Sequence, residues 1–246
     1  MRIDQLTWQE YQEAIATRIV VLPIGAIDAH GPHLPLSTDT VLSTYMTDAL
    51  QSQMDILTLP SINYGKKTDP PASGGVFPGA ISLRPSTFMN VVLDVLRACY
   101  RHGCRRFVVL NAHMVNVSTA REAADQFIED APDARVMVAS WWDLVSEDSR
   151  NAIARETGVG RHEDHHAAMV ETSLMMYAAP DAVRSELLAD DSIPRRARYL
   201  ILPVPESLKT RTGVVYRASL ATREIGERLM TEIVANLVRS VKLEMM

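Results

Sequence analysis

A chain of 246 residues with 47% hydrophobic and 22% charged content is long enough to bury a substantial core and is ordinary for a globular protein. Its net charge of −5 leaves no basic footprint for nucleic acid or anionic lipid. No apolar run is long enough to span a bilayer and no signal-peptide pattern opens the chain, so the expected location is cytoplasmic.

Residues up to about Thr17 read as a helix, with Thr7 as its cap and Leu6, Tyr11 and Ile15 as an inward stripe. The β-branched run of residues 19–23 predicts a buried strand. Glycine and proline then break the pattern, and the following loop carries Asp28, His30, His33 and Asp39. A helix is expected over residues 39–53, capped by Thr38 or Asp39, and a short strand over 55–59. Residues 63–83 have little periodicity and hold several Pro and Gly pairs; a long loop in a compact domain is more often functional than idle. Residues 85–102 form a strongly amphipathic helix closed by Gly103. A third strand spans 106–111, and the chain then enters a helix ending near Glu129. A fourth strand covers 135–140, and a polar helix leads to the cluster Arg161, His162, Glu163, Asp164, His165 and His166. An apolar helix over 167–178 stops at Pro180. Beyond it the reading gives a short strand at 199–202 and a long helix within 217–241. Cys99 and Cys104 flank a helix end and are expected to be reduced thiols.

Strands alternating with helices predict one α/β domain over residues 1–246, with a mostly parallel sheet covered by helices on both faces. Three turns, read as strand-to-helix transitions, hold metal-type ligands: Asp28, His30 and Asp39; then His113; then His165 and His166 with Glu171. Such transitions share one edge of a parallel sheet, so these groups converge. Carboxylates mixed with imidazoles suit zinc, manganese or iron better than calcium. The pattern predicts two divalent ions bridged by a carboxylate, able to ionise water and polarise a carbonyl or phosphoryl oxygen. His33 reads as a brace for the Gly-Pro turn, and His102 as a helix-end cap.

Gly25-x-x-Asp28-x-His30-Gly31-Pro32-His33-Leu34-Pro35-x-x-Thr38-Asp39 resembles the signature of the creatininase family, G-S-x-E-x-H-G-x-H-L-P-x-x-T-D. Asn111-Ala112-His113-x-x-Asn116 is similar to its N-G-H-x-x-N, and His166-Ala167-Ala168-x-x-Glu171-Thr172-Ser173 to its H-A/G-G-x-x-E-T-S. Residues 73–83 resemble its substrate loop, and Ser140-Trp141-Trp142-Asp143 its tryptophan segment. The resemblance implies a metal-dependent amidohydrolase, usually a homohexamer, acting through a metal-activated hydroxide on a small cyclic amide, a formamide or a related C–N bond. It assigns Asp28, Asp39 and His113 to one metal and His30 with bridging Asp39 to the other. It makes His166 the proton carrier and leaves Glu171 to orient a ligand or water. Ser73, Gly74, Gly75 and Trp142 then line the pocket, with His165 beside them.

Several departures bear on these roles. Asp28 is one methylene shorter than the family glutamate. Val115 stands where creatininase itself has a metal-binding glutamate, and Met114 where it has a tyrosine, which argues against creatinine as substrate. His165 replaces an acid, and Glu163 or Asp164 could supply that charge. Ala112 and Ala168 replace glycines at positions that could need a left-handed backbone. Two other readings stand beside a cyclic-amide hydrolase: a deformylase for a heterocyclic or nucleotide-derived formamide, with Arg84 or Arg161 for any phosphate, and a non-catalytic oligomeric binding protein with a decayed site.

Overall fold

Alternation along the central strand sorts the core. In the computed structural model, β1 (Ile19–Ile24) is buried throughout. Ile19 and Val21 join one apolar cluster, while Val20, Leu22 and Ile24 join another on the opposite face. That is the period-2 consequence of a strand covered on both sides. The structure describes residues 1–68, 77–160, 162–193 and 201–246.

Strands β1, β2 (Ile56–Thr58), β3 (Arg106–Asn111) and β4 (Arg135–Ser140) form a parallel sheet in the order β2-β1-β3-β4. One face is covered by α1 (Trp8–Ile15), α3 (Pro85–Arg101) and α4 (Asn116–Asp130). On α3 the buried Phe88, Val92, Leu96 and Cys99 follow helical spacing. The other face carries α2 (Thr38–Gln51), α5 (Glu147–Thr157), α6 (Met169–Ala178) and α7 (Arg223–Met245). The chain is thus a single-domain α/β fold with a four-stranded parallel sheet and, among the described residues, seven α-helices. None of its described helices is long and apolar enough to cross a membrane.

Most expected elements are present with shifted ends. The Thr7 cap is a full capping box with Glu10, but α1 stops at Ile15 rather than near Thr17. Neither Thr38 nor Asp39 caps α2: Ser37 occupies that position, and the Thr38 hydroxyl donates to the Pro35 carbonyl. Pro85 opens α3 as its first residue, and Gly103 beyond its end has φ +107°. The expected helix over 167–178 begins two residues late because Ala167 is left-handed, at φ +51°. Ala112 and Ala168 are not left-handed; the strained position is their neighbour in the third motif. Of the strand expected at 199–202, residues 199 and 200 lie outside the described set, and Ile201 and Leu202 are not extended in a sheet. A two-stranded antiparallel ribbon forms instead from β5 (Asp190–Asp191) and β6 (Tyr216–Arg217). Cys99 and Cys104 are buried free thiols, as expected.

The topology places the site. β1 and β3 are neighbours, yet the chain leaves β1 for β2 on one side and β3 for β4 on the other. A crevice opens beyond the carboxyl ends of two such strands, where α/β proteins bind ligands. Asp28 and His30 follow β1 and His113 follows β3, so both loops enter that crevice. His165 and His166 come from the α5–α6 connection, so the third motif is not a strand-to-helix transition.

Candidate metal centre

Two loops and two helix starts supply the cluster. Asp39 lies on the same face of α2 as the core residues Leu42, Met46 and Leu50, one turn nearer the amino end, so the apolar stripe that docks α2 also buries its carboxylate. Gly25 permits that approach: a Cβ there would lie 2.6 Å from the Thr40 backbone nitrogen. Asn116 ties the ends of β1 and β3 together, donating to the Gly25 carbonyl at 3.0 Å and to Asn111 Oδ1 at 3.3 Å. Asn111 in turn accepts from the His113 N–H at 3.1 Å, which fixes that residue as it leaves the sheet.

Asp28, His30, Asp39, His113 and Glu171 are all buried. His30 Nδ1 lies 3.0 Å from the Asp28 carbonyl oxygen. A carbonyl can only accept, so Nδ1 carries a proton and Nε2 is the nitrogen turned into the cluster. There it faces Asp39 Oδ1 at 3.3 Å and Glu171 Oε2 at 3.6 Å. His166 repeats the arrangement: Nε2 donates to the Ala29 carbonyl at 2.8 Å, and Nδ1 faces Glu171 Oε2 at 3.9 Å. The two rings sit 4.3 Å apart. Glu171 is itself aimed by the Ala167 N–H, which donates to Oε2 at 2.7 Å; the left-handed turn at Ala167 belongs to that connection.

On the other side of Asp39, Oδ2 lies 2.7 Å from His113 Nδ1. Thr68 donates to Asp28 Oδ2 at 2.9 Å and lies 3.3 Å from His113 Nε2. Thr68 therefore joins Asp28 to His113. A lone threonine in an aperiodic loop carries no spacing signal, and sequence reasoning passed over it.

Electrostatics mark the centre as waiting for positive charge. Burial opposes protonation of His30, but Asp39 and Glu171 outweigh it and raise its pKa to about 10. Burial also opposes ionisation of Asp39, yet His30 and His113 hold its carboxyl below the usual range. Burial raises Glu171 to about 7, and burial together with His30 lowers His166 to about 3. Asp28 is raised by burial. His30 Nε2 and Asp39 Oδ2 are buried and form no well-aligned hydrogen bond, so their contacts with Asp39 Oδ1 and His113 Nδ1 are those of converging donor atoms. Donor atoms of His30, His166 and Glu171 lie within 4.8 Å of one another, a separation one cation can span. The residues present fit a divalent metal.

The remaining expected site residues are dispersed. Trp142 and His165 both line the cavity beside the cluster. His165 is exposed, with Nε2 2.7 Å from the His162 carbonyl oxygen. Glu163 accepts from the Gly160 N–H and Asp164 from the Val170 N–H, so both carboxylates serve the turn into α6. Ser73, Gly74, Gly75 and Arg161 lie outside the described residues. His33 does more than brace its turn: it is fully buried and its Nε2 meets Thr172 Oγ1 at 2.9 Å, tying the first loop to α6.

A buried imidazole–carboxylate centre at the switch point of a parallel sheet defines a metal-dependent enzyme of the α/β class. The creatininase family model, described as creatinine amidohydrolase, matches residues 4–241. The creatinine amidohydrolase of Pseudomonas putida is 29% identical, over 98% of this chain and 96% of its own length. The mycofactocin precursor peptide peptidase of Mycobacterium tuberculosis is 28% identical over 90% of this chain and 84% of its own. The 3-dehydro-scyllo-inosose hydrolase of Thermotoga maritima is 23% identical over 91% and 77%. A creatininase crystal structure superposes with a TM-score of 0.92 at 29% identity, covering 99% of this chain and 97% of that one. A manganese form and a substituted Zn–Zn form of creatininase superpose equally well, each at 0.92. The chain belongs to the creatininase family and is a metal-dependent amidohydrolase of that class.

Proposed function

We propose that the protein hydrolyses the C–N bond of a small cyclic amide at two divalent ions, zinc, manganese or iron. The observation that carries this reading is the buried convergence of His30 Nε2 and His113 Nδ1 on the two oxygens of Asp39, at 3.3 and 2.7 Å, with Glu171 Oε2 3.6 Å from His30. Asp28, Asp39 and His113 are assigned to one ion. His30 and Asp39 are assigned to the other, with Glu171 providing the carboxylate that Val115 cannot. Divalent cations bound there would polarise the scissile carbonyl and lower the pKa of the attacking water.

The chain's own groups do the rest. The Ala29 carbonyl holds the His166 ring with Nδ1 toward the reacting centre. Kept neutral by burial, the ring is placed to relay the proton released by water to the leaving nitrogen; its Nδ1 is also near enough to His30 and Glu171 to hold metal, and the proton role is the one assigned to it. Burial of the cluster excludes bulk water and strengthens each of these interactions. The names of the relatives span creatinine, a precursor peptide and an inosose, so family membership leaves the substrate open. Met114 and Val115 favour a cyclic amide other than creatinine. A homohexamer in the cytoplasm belongs to the same reading, and sedimentation velocity checks its size.

Elemental analysis of the purified chain, paired with cyclic-amide hydrolysis before and after chelation, tests the reading. Two ions per subunit and activity restored by metal are expected. Asp39→Ala should lose both, because Asp39 is the proposed bridge. Normal turnover by a metal-free Asp39→Ala sample would overturn it.

A further inference from the structure

The cavity that opens from the metal cluster has a volume of about 550 Å³, which is in the range of ligand sites and several times what a five-membered ring fills. Asp39, His113, His166 and Glu171 occupy one end. Much of the wall, beside α5 and α6, is apolar: Trp141, Val145, Ile153, Val159, Met169 and Val170. Met114 and Val115 extend that surface to the edge of the cluster. Two charged side chains among the described wall residues, Arg150 and Asp164, hydrogen-bond within the protein. Arg150 donates through Nη2 to the Trp142 carbonyl and through Nε to the Val145 carbonyl. Asp164 accepts from the Val170 N–H at 3.0 Å. A ligand gains little there from charge and much from apolar surface.

We propose that the substrate carries, next to its scissile C–N bond, an uncharged apolar substituent the size of a branched or aromatic side chain, seated against Trp141, Val145, Ile153, Val159, Met169 and Val170. This rests on the amidohydrolase reading for the scissile bond, while the chemistry of the seat is argued from the cavity alone. A compact polar ring would leave most of that wall uncovered. An anionic substituent would lose its hydration against this largely apolar wall.

Isothermal titration calorimetry of the metal-loaded full chain tests the seat with a five-membered lactam and its isobutyl, benzyl and carboxymethyl derivatives. The isobutyl and benzyl lactams should bind at least about tenfold tighter than the parent, and the carboxymethyl lactam no tighter. Ala154 lines the same cavity and is only half-buried on α5. Ala154→Phe should fill the seat and abolish the gain, with circular dichroism confirming the fold; Val170→Phe repeats the test from the facing helix. Tightest binding by the carboxymethyl lactam overturns the proposal, as does a benzyl gain that survives both substitutions. Hydrolysis of the same lactams separates the two readings. Selective binding without hydrolysis keeps the apolar seat and refutes the cyclic-amide substrate; hydrolysis with equal affinities does the reverse.

Discussion

His30 and His33 belong to one motif and are both fully buried, yet their proton affinities diverge, with pKa values pushed to about 10 and about 4. Burial disfavours the cation in both. His30 has two carboxylates to overcome that penalty, whereas for His33 repulsion by His30 adds to it and the Ala167 backbone and Asp190 offset it only in part. His33 therefore stays neutral in the fold and keeps an unpartnered Nδ1, while in the unfolded chain it takes up a proton near pH 6.5. Its depressed value supplies stability that is complete above about pH 6.5 and is lost as pH falls through about 4. The full span corresponds to roughly 3 kcal/mol. Urea midpoints at pH 7.5 and pH 4.5 should fall more for the native chain than for His33→Gln, which cannot be protonated. Equal falls would show that His33 is not the acid-labile group. The sequence separates the pair as ligand and brace, but it carries no measure of their proton affinities, because only the fold decides which one meets carboxylates. The same holds for Glu171, whose alignment with His30 depends on the turn at Ala167.

α6 and α7 meet more closely than any periodicity could have foretold. A Cβ on Gly226 would lie 1.9 Å from the Ser173 carbonyl oxygen and 2.5 Å from its carbon. Neither backbone can yield, since Ser173 is fully buried and its Oγ accepts from the Thr222 N–H at the start of α7. Gly226→Ala should cost at least about 3 kcal/mol, at the upper end of overpacking penalties. Gly158→Ala provides the contrast: φ is +69° but nothing lies within 4 Å, so only the left-handed penalty of about 1 kcal/mol remains. Thermal melts of the two variants should rank in that order, and a mild Gly226→Ala would refute the close crossing. The elements themselves were largely legible, because β3 and β4 fall on the expected residues and each expected major helix exists. The ends were less so: Asp39 faces His30 and His113 rather than capping α2. The β5–β6 ribbon was not legible, being two residues per strand and held by non-local pairing.

The centre is where the whole molecule closes on itself. The ligands proposed above come from the loop after β1, the start of α2, the loop after β3 and the start of α6, so a cation held by them would cross-link segments from residue 28 to residue 171. Long-range links of this kind are absent from the unfolded chain, so metal binding adds directly to folding stability. At a free metal concentration one hundred times Kd the gain is about 2.7 kcal/mol. For a chain of this size that is a rise of roughly 5–10 °C in Tm. Differential scanning calorimetry with and without chelator should show that drop, reversed by zinc or manganese. Asp39→Ala should melt at one temperature in both conditions, since the shared carboxylate is gone. The fold itself should survive chelation. The two apolar clusters that sandwich the sheet are formed by side chains packed on one another along all four strands, so circular dichroism at 25 °C should not change. A chelated chain that unfolds at 25 °C would mean that the metal holds the sheet together, and that the cluster is structural rather than a site for chemistry.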